Sequence, residues 1–200
     1  PDHHGEDLAA EAAELREAES PPHPQDSRYP TAMIALHWAT LLVIVGAYAS
    51  IELREFFPRG STLREGLKAW HFQLGLTVLL LTVARIALHW RQRVPPIVPP
   101  LSLPQRLAAM ATHLALYGFL LAMPLLGWAL LDLEGKTVVW FGLTLPDLFA
   151  SARGLAESLE EVHETLGKVG YGLIGLHAAA ALFHHYIQRD NTLIRMLPGR

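Results

Sequence analysis

Apolar residues along this chain are gathered into four long blocks, with polar, charged and proline-containing stretches between them. The blocks lie near Thr31–Ile51, Lys68–Trp90, Leu107–Leu131 and His163–Ile187. A transmembrane helix needs about 20 mostly apolar residues, and backbone groups in lipid must hydrogen-bond to one another. The pattern therefore predicts an all-α integral membrane protein, a four-helix bundle in a lipid bilayer. None of the blocks shows the period of two that a transmembrane β-barrel requires.

Composition narrows the chemistry that such a bundle can support. Of the 200 residues 51% are hydrophobic, and the net charge of -3 shows no basic excess of the kind that binds nucleic acid. Cysteine is absent from the sequence, which excludes disulfides, iron–sulfur clusters and the thioether attachment of c-type haem. Any redox cofactor must therefore be held by other side chains.

The first 28 residues differ from the rest of the chain. They contain eight acidic residues and two arginines, and they end in the linker-like stretch SPPHPQDS. This composition predicts an acidic, disordered N-terminal extension over residues 1–28 and a membrane domain over residues 29–200. The extension also holds three histidines. They could collect a metal ion, but the pattern favours a mobile acidic tail.

Basic residues outside the blocks predict the orientation of the bundle. Eight lie on the side that has both termini and the proline-rich connection RQRVPPIVPPLSLPQR, and seven lie on the other side. This excess predicts that both termini lie inside the cell. We call the side with the termini the inner end and the opposite side the outer end. In the longest connection, WFGLTLPDLFA is expected at the outer membrane interface and LAESLEEV in a short amphipathic helix.

Histidines in the apolar blocks occur at two depths. His163 and His177 are fourteen residues apart, which on an α-helix spans about 21 Å and returns to nearly the same face. With the termini inside, His71 shares the outer level of His163, and His37 shares the inner level of His177. Ionisable residues in lipid are costly and usually functional. The spacing therefore predicts two haem b groups, held by the pairs His71/His163 and His37/His177.

Small residues follow these histidines along the helices. Gly75 comes one turn after His71, and Gly167 comes one turn after His163. Glycines at these positions would let a flat porphyrin approach the backbone. Close packing of two helices favours the same residues, so the glycines alone do not decide between the two interpretations.

Several stretches resemble the bacterial cytochrome b561 family, and within it the di-haem superoxide:ubiquinone oxidoreductases. They are IALHWATLLVIVGAYASIELREFFPR, VVWFGLTLP, VHETLGKVGYGLIGLHAAAALFHHY and DNTLIRMLPGR. The resemblance covers roughly residues 28–200 and implies a multi-pass protein of the bacterial inner membrane with two haem b groups. It also implies the same four histidine ligands. The acidic extension is not part of the family pattern.

The resemblance implies that superoxide is oxidised at the outer end and that ubiquinone accepts the electrons. Four basic residues lie on the outer side near His71, and a positive potential raises the rate at which an anion is encountered. The candidates are Arg54, Arg59, Arg64 and Lys68. Lys68 is the best single candidate because it is closest to a predicted ligand. Interleaved glutamates leave an ordinary solvated loop as the alternative interpretation.

A quinone needs polar partners for its carbonyl groups and a source of protons. His184 and His185 lie beyond His177 at the inner end, and Arg85 lies at the matching end of the second block. Histidine is a suitable proton donor, so His184 or His185 is predicted to bind quinone. The alternative is that these residues bind haem propionates or lipid phosphates, for which Arg85 is well suited. His113 has no predicted partner at its level and is expected to be buried and hydrogen-bonded, with a role in quinone binding as the alternative.

Two other functions use parts of the same pattern. The first is a membrane cytochrome b subunit that relays electrons between quinone and a partner dehydrogenase or hydrogenase. The second is a metal transporter that collects ions with the histidines of the extension. The absence of Asp and Glu from the middle of the apolar blocks argues against the transporter.

Overall fold

The computed structural model describes residues 27–199 together with positions 8, 11–13 and 15. The acidic extension predicted over residues 1–28 therefore lies almost entirely outside the described residues. So do its three histidines, and the metal-binding alternative for them stays a prediction.

Four long helices form the membrane domain. They are α1 (Thr31–Leu53), α2 (Thr62–Arg91), α3 (Leu103–Leu133) and α4 (Arg153–Phe183). Each is long and apolar enough to cross a membrane, which confirms the predicted all-α membrane fold. A π-helical turn, His184–Gln188, continues α4 at the inner end.

Three helices begin earlier than the apolar pattern predicted, α3 by four residues and α2 and α4 by more. The Ser61 hydroxyl caps α2 by accepting from the backbone N–H of Arg64 at 3.3 Å, so the helix begins six residues before the apolar block. The residues LAESLEEV are helical as predicted, but they form the first turns of α4 and not a short helix of their own. No proline interrupts the chain between Arg153 and His163. The helix therefore runs without a break into the membrane.

Packing in the bundle follows the order of the chain: α1 packs on α2, α2 on α3, and α3 on α4. The first and last helices are joined by the Tyr48 hydroxyl, which donates to the carbonyl of Gly167 at 2.7 Å. Each helix also has an apolar face turned outward. Leucines on the four helices are 73%, 53%, 69% and 59% exposed: Leu42, Leu80, Leu114 and Leu176. In water such faces would be unfavourable, so they are the surfaces that contact lipid.

The α3–α4 connection contains a small hairpin that the apolar pattern did not predict. Strand β1 (Val139–Trp140) pairs antiparallel with β2 (Leu143–Thr144). Between them Phe141 and Gly142 both have positive φ, 42° and 84°, as a type I′ turn requires. Glycine accepts this geometry without strain.

Side chains of α2 hold this hairpin over the outer end. The Gln73 amide donates to the carbonyl of Val139 at 2.6 Å and accepts from the N–H of Phe141 at 2.8 Å. The Trp140 indole donates to the Thr77 hydroxyl at 3.1 Å. The long connection is therefore fixed against the bundle, close to the level of His71.

A C-terminal segment closes the inner end. The buried Arg195 donates to the carbonyl of Pro95 at 2.6 Å, and its own carbonyl accepts from the N–H of Tyr29 at 2.9 Å. The Asn191 side chain accepts from the N–H of Val98 at 2.7 Å. These bonds join the end of the chain to the α2–α3 connection and to the start of α1.

Gly170 is a point of close approach between three helices. A methyl group at this position would overlap the ring of Phe119 on α3 and the hydroxyl of Tyr48 on α1. Gly172, one half-turn further along α4, has no atom within 4 Å of the same methyl position. The two glycines therefore have different roles in the same helix.

We predict opposite effects of alanine at these two positions. Gly170→Ala should lower the free energy of unfolding by about 1–3 kcal/mol, because the core must shift to admit the methyl group. Gly172→Ala is the matched control and should raise it by up to about 1 kcal/mol through helix propensity. Thermal unfolding in detergent, followed by circular dichroism, measures both. Equal stability of the two variants would contradict the close approach.

Candidate functional site

The outer pair of histidines faces across the bundle. His71 projects from α2 and His163 from α4, and their ring centroids are 6.3 Å apart. Both line a cavity of about 260 Å³ between the four helices. Gly127 on α3 lies against the His163 ring, since a methyl group there would be 3.5 Å from its Cε1 atom. A side chain larger than alanine at this position would displace the ring.

The inner pair has nearly the same separation. The ring centroids of His37 on α1 and His177 on α4 are 6.2 Å apart. The structure therefore brings together both pairs that were matched by depth. Because α4 supplies one member of each pair, the two sites lie on a common helix.

His113 is placed differently from its prediction. It was expected to have no partner at its level, but its ring centroid lies 5.7 Å from that of His177. Measured on the protein chain alone, the His113 side chain is exposed, contrary to the predicted burial. His113 is ten residues into α3, about 15 Å from the inner end, and the rotation of α3 about its axis brings the ring close to His177. The inner site therefore has three imidazoles, whereas the outer pair has two.

Charged residues of both signs surround the mouth of the outer cavity. Three basic and three acidic side chains line it: Arg54, Lys68, Lys136, Glu134, Glu160 and Glu164. Of the predicted basic cluster, Arg54 and Lys68 reach the cavity. Arg59 is exposed on the α1–α2 connection and is not part of the lining. Lys136 was missed because it lies in a connection whose path the sequence does not show.

Each of the basic residues at the mouth is close to a carboxylate. Lys68 Nζ lies 3.7 Å from Glu65, and Lys136 Nζ lies 3.1 Å from Glu134. Arg64, which does not line the cavity, donates to the backbone carbonyls of Arg54 and Phe57 at 3.3 and 3.2 Å. Arg64 therefore holds the α1–α2 connection together.

At the inner end the π-helical turn presents His184 to an acidic partner. Its Nδ1 atom lies 2.6 Å from the Asp190 carboxylate, which is almost completely buried. Burial raises the pKa of the Asp190 carboxyl, but hydrogen bonds from His184 and Thr192 outweigh it and hold the pKa below its ordinary value. The carboxylate is therefore ionised at neutral pH. His185 differs, because its buried Nδ1 atom has no hydrogen-bond partner among the residues that the structure describes.

Asp190 was not identified from the sequence. On a regular α-helix, residues six apart point in different directions. The π-helical turn and the left-handed backbone of Arg189, with φ of 55°, bring the chain back toward His184. The sequence did contain one indication of this contact: an acidic residue follows shortly after a helix that ends in two histidines.

Arg85 lies beside the inner pair. Its Nη2 atom is 3.3 Å from Nδ1 of His37, and its guanidinium carbon lies 5.6 Å from the centre of the Tyr117 ring. The Nε atom of Arg85 is buried and has no hydrogen-bond partner. A cation is therefore held within the bundle, next to one of the predicted ligands.

Comparison with known proteins identifies the family of the chain. A family model for prokaryotic cytochrome b561 matches residues 28–199, nearly the whole described chain. The chain belongs to the prokaryotic cytochrome b561 family. It is 41% identical over 174 residues to "Cytochrome b561 homolog 1" of Escherichia coli K12, covering 87% of this chain and 99% of that protein.

Two further cytochrome b561 relatives span almost the same residues. "Probable superoxide oxidase CybB" of Yersinia pestis is 39% identical over 173 residues, 86% of this chain and 97% of that protein. "Cytochrome b561 homolog 2" of Escherichia coli K12 is 31% identical over 173 residues, 85% of this chain and 91% of that protein. The family and its apolar helices make the chain a bacterial membrane protein.

Membership in the cytochrome b561 family implies that the chain binds haem b, and the imidazoles fit this group. Bonds from a metal to imidazole nitrogen are about 2 Å long, as in zinc sites. Two imidazole nitrogens that held one metal ion between them would be about 4 Å apart. The ring centres lie behind the nitrogens, so separations of 6.2 and 6.3 Å between them leave room for the metal. Among the described residues, the buried Nδ1 atom of His163 has no hydrogen-bond partner.

Proposed function

We propose that this cytochrome b561 protein oxidises superoxide to dioxygen at its outer end and reduces ubiquinone at its inner end. Two superoxide ions, one quinone and two protons give two dioxygen molecules and one quinol. The observation that carries the proposal is the presence of a histidine pair at each end of one helix, α4. Similarity to the Yersinia pestis protein supports superoxide as the substrate.

Four histidines are the proposed ligands of two haem b groups. His71 and His163 would hold the outer haem, and His37 and His177 would hold the inner haem. Haem b supplies one-electron redox chemistry when it is bound. The His71 Nδ1 atom lies 2.7 Å from the carbonyl of Ala47. Because a carbonyl only accepts, Nδ1 carries the proton and the Nε2 lone pair is free for iron.

Superoxide would be collected at the mouth of the outer cavity. It is an anion that crosses lipid poorly, so the outer end should face the periplasm, with both termini in the cytoplasm. Lys68 lies one turn before His71 on α2, and its side chain lines the cavity. The balanced charges of the mouth give only a weak long-range field. Lys68, with Arg54 and Lys136, would therefore attract superoxide at short range.

Quinone would be reduced beside His184 at the inner end. Asp190 accepts a hydrogen bond from Nδ1 of His184 at 2.6 Å, and this fixes the orientation of the ring. The Nε2 atom is then the one that can hold a proton for a quinone carbonyl. His185 lacks a carboxylate partner at its buried Nδ1, so His184 is the better proton donor of the two predicted residues.

We predict that the purified protein contains two haem b groups per chain. His163→Ala should lose one of them and His37→Ala the other, as measured by pyridine haemochrome. His113→Ala is the informative comparison and should keep both, although its ring lies close to His177. One haem in the unmodified protein would contradict the assignment. Loss from His113→Ala with retention in His37→Ala would replace His37 by His113 as the partner of His177.

Lys68→Gln should slow the superoxide-dependent reduction of quinone about fivefold, since a charge contact of this kind contributes about 1 kcal/mol near water. Arg59→Gln removes the same charge from an exposed position outside the cavity and should have a smaller effect. Stopped-flow absorbance at low and at physiological ionic strength measures both variants. Equal slowing by the two changes, abolished by salt, would show that long-range attraction operates instead.

His184→Leu should slow quinone reduction about a hundredfold or more, because a positioned proton donor contributes about 10²–10⁴ in rate. Asp190→Asn should slow the same step to a smaller extent, while superoxide-driven haem reduction and haem content stay unchanged. His185→Leu is the neighbouring control. If quinone turnover is normal in His184→Leu, or if only His185→Leu affects it, the proposed site is in the wrong place.

A further inference from the structure

The two histidine pairs differ in the group that lies next to an Nδ1 atom of each pair. At the outer site the His71 Nδ1 atom donates to the carbonyl of Ala47 at 2.7 Å. At the inner site the corresponding atom of His37 lies 3.3 Å from a guanidinium nitrogen of Arg85. A carbonyl only accepts and a guanidinium only donates. The His71 contact is therefore a hydrogen bond donated by Nδ1, whereas the Arg85 contact places a positive charge beside the His37 ring.

Arg85 also brings a permanent positive charge to the inner site. Arginine keeps its charge in proteins, and a charge inside a bilayer is costly and usually functional. Among residues 27–199, no carboxylate lies within ion-pair distance of Arg85. Its contacts are the His37 ring and the face of Tyr117. No carboxylate of these residues therefore cancels the charge.

The outer site has a different electrostatic environment. Its cavity is lined by three basic and three acidic side chains, which balance one another. Lys68 and Lys136 also face water and are each near a glutamate. Charges near water are screened, whereas a charge in the low-dielectric interior acts strongly on its neighbours. The inner site is therefore the more positive of the two.

We propose that Arg85 is a positioning residue that raises the reduction potential of the inner haem above that of the outer haem. This inference rests on the proposed assignment of two haems to the two histidine pairs. A fixed positive charge stabilises the reduced form, which carries one more electron, and the surroundings of a haem set its potential. With this order of reduction potentials, an electron has a lower free energy at the inner end. Electron transfer from superoxide at the outer end to quinone at the inner end is therefore favoured.

The test is a redox titration of the intact membrane protein followed by visible absorbance. Arg85→Gln removes the charge and keeps a polar side chain. We expect two haems in this variant, with one midpoint potential lowered and the other unchanged. Arg85→Lys, which retains the charge, should lower that potential less. Arg91→Gln removes an equal charge from an exposed position later on α2 and should leave both potentials unchanged.

A single-haem background identifies which potential has moved. His163→Ala is expected to keep only the inner haem, so adding Arg85→Gln to it should lower the one remaining potential. His37→Ala, expected to keep only the outer haem, should be insensitive to Arg85→Gln. This readout is independent of turnover with superoxide or quinone.

Three results would overturn the proposal. One is a pair of potentials unaffected by Arg85→Gln. Another is a raised inner potential, which would mean that Arg85 stabilises a deprotonated His37 ring. The last is loss of a haem from Arg85→Gln, which would mean that Arg85 holds the haem and does not tune it. A single haem in the unmodified protein is a separate outcome, because it refutes the assignment of two haems on which the inference rests.

Discussion

One continuous helix carries both His163 and His177, and the geometry of both candidate sites depends on it. Fourteen residues of α-helix are close to a whole number of turns, so the two imidazoles lie on one face at two depths, about 21 Å apart. The facing helices then need only one histidine each at the matching level. His71 and His37 meet this condition, with ring separations of 6.3 and 6.2 Å. A break in α4 would therefore disturb both sites at once.

Depth in the membrane could be predicted from the sequence, but contacts between side chains could not. Apolar block length determines where helices cross the bilayer, so the four helices and the levels of the paired histidines followed from spacing. The contact of His113 with His177 depends on how α3 is rotated about its axis. The Asp190–His184 contact depends on a π-helical turn that regular helical spacing does not include. Both were therefore found only in the structure.

Charged side chains at the two ends of the bundle have different surroundings. At the outer end, cations and carboxylates share a hydrated cavity mouth, where Lys68 lies near Glu65. At the inner end, Arg85 lies among rings, and Asp190 is buried against His184. Charges that face water suit brief contact with a small anion, whereas buried charges act on what is bound nearby. This asymmetry supports the proposed transfer of electrons from a soluble anion at one end to a membrane quinone at the other.

The most direct test of this account is the visible spectrum of the purified protein as superoxide is generated in the solution. The account predicts that superoxide alone reduces the haem bands, and that added ubiquinone then returns them to the oxidised form. No partner subunit should be needed. A spectrum that does not respond to superoxide, or that responds only when a partner redox protein is added, would contradict the account. The latter result would favour a cytochrome b subunit that relays electrons.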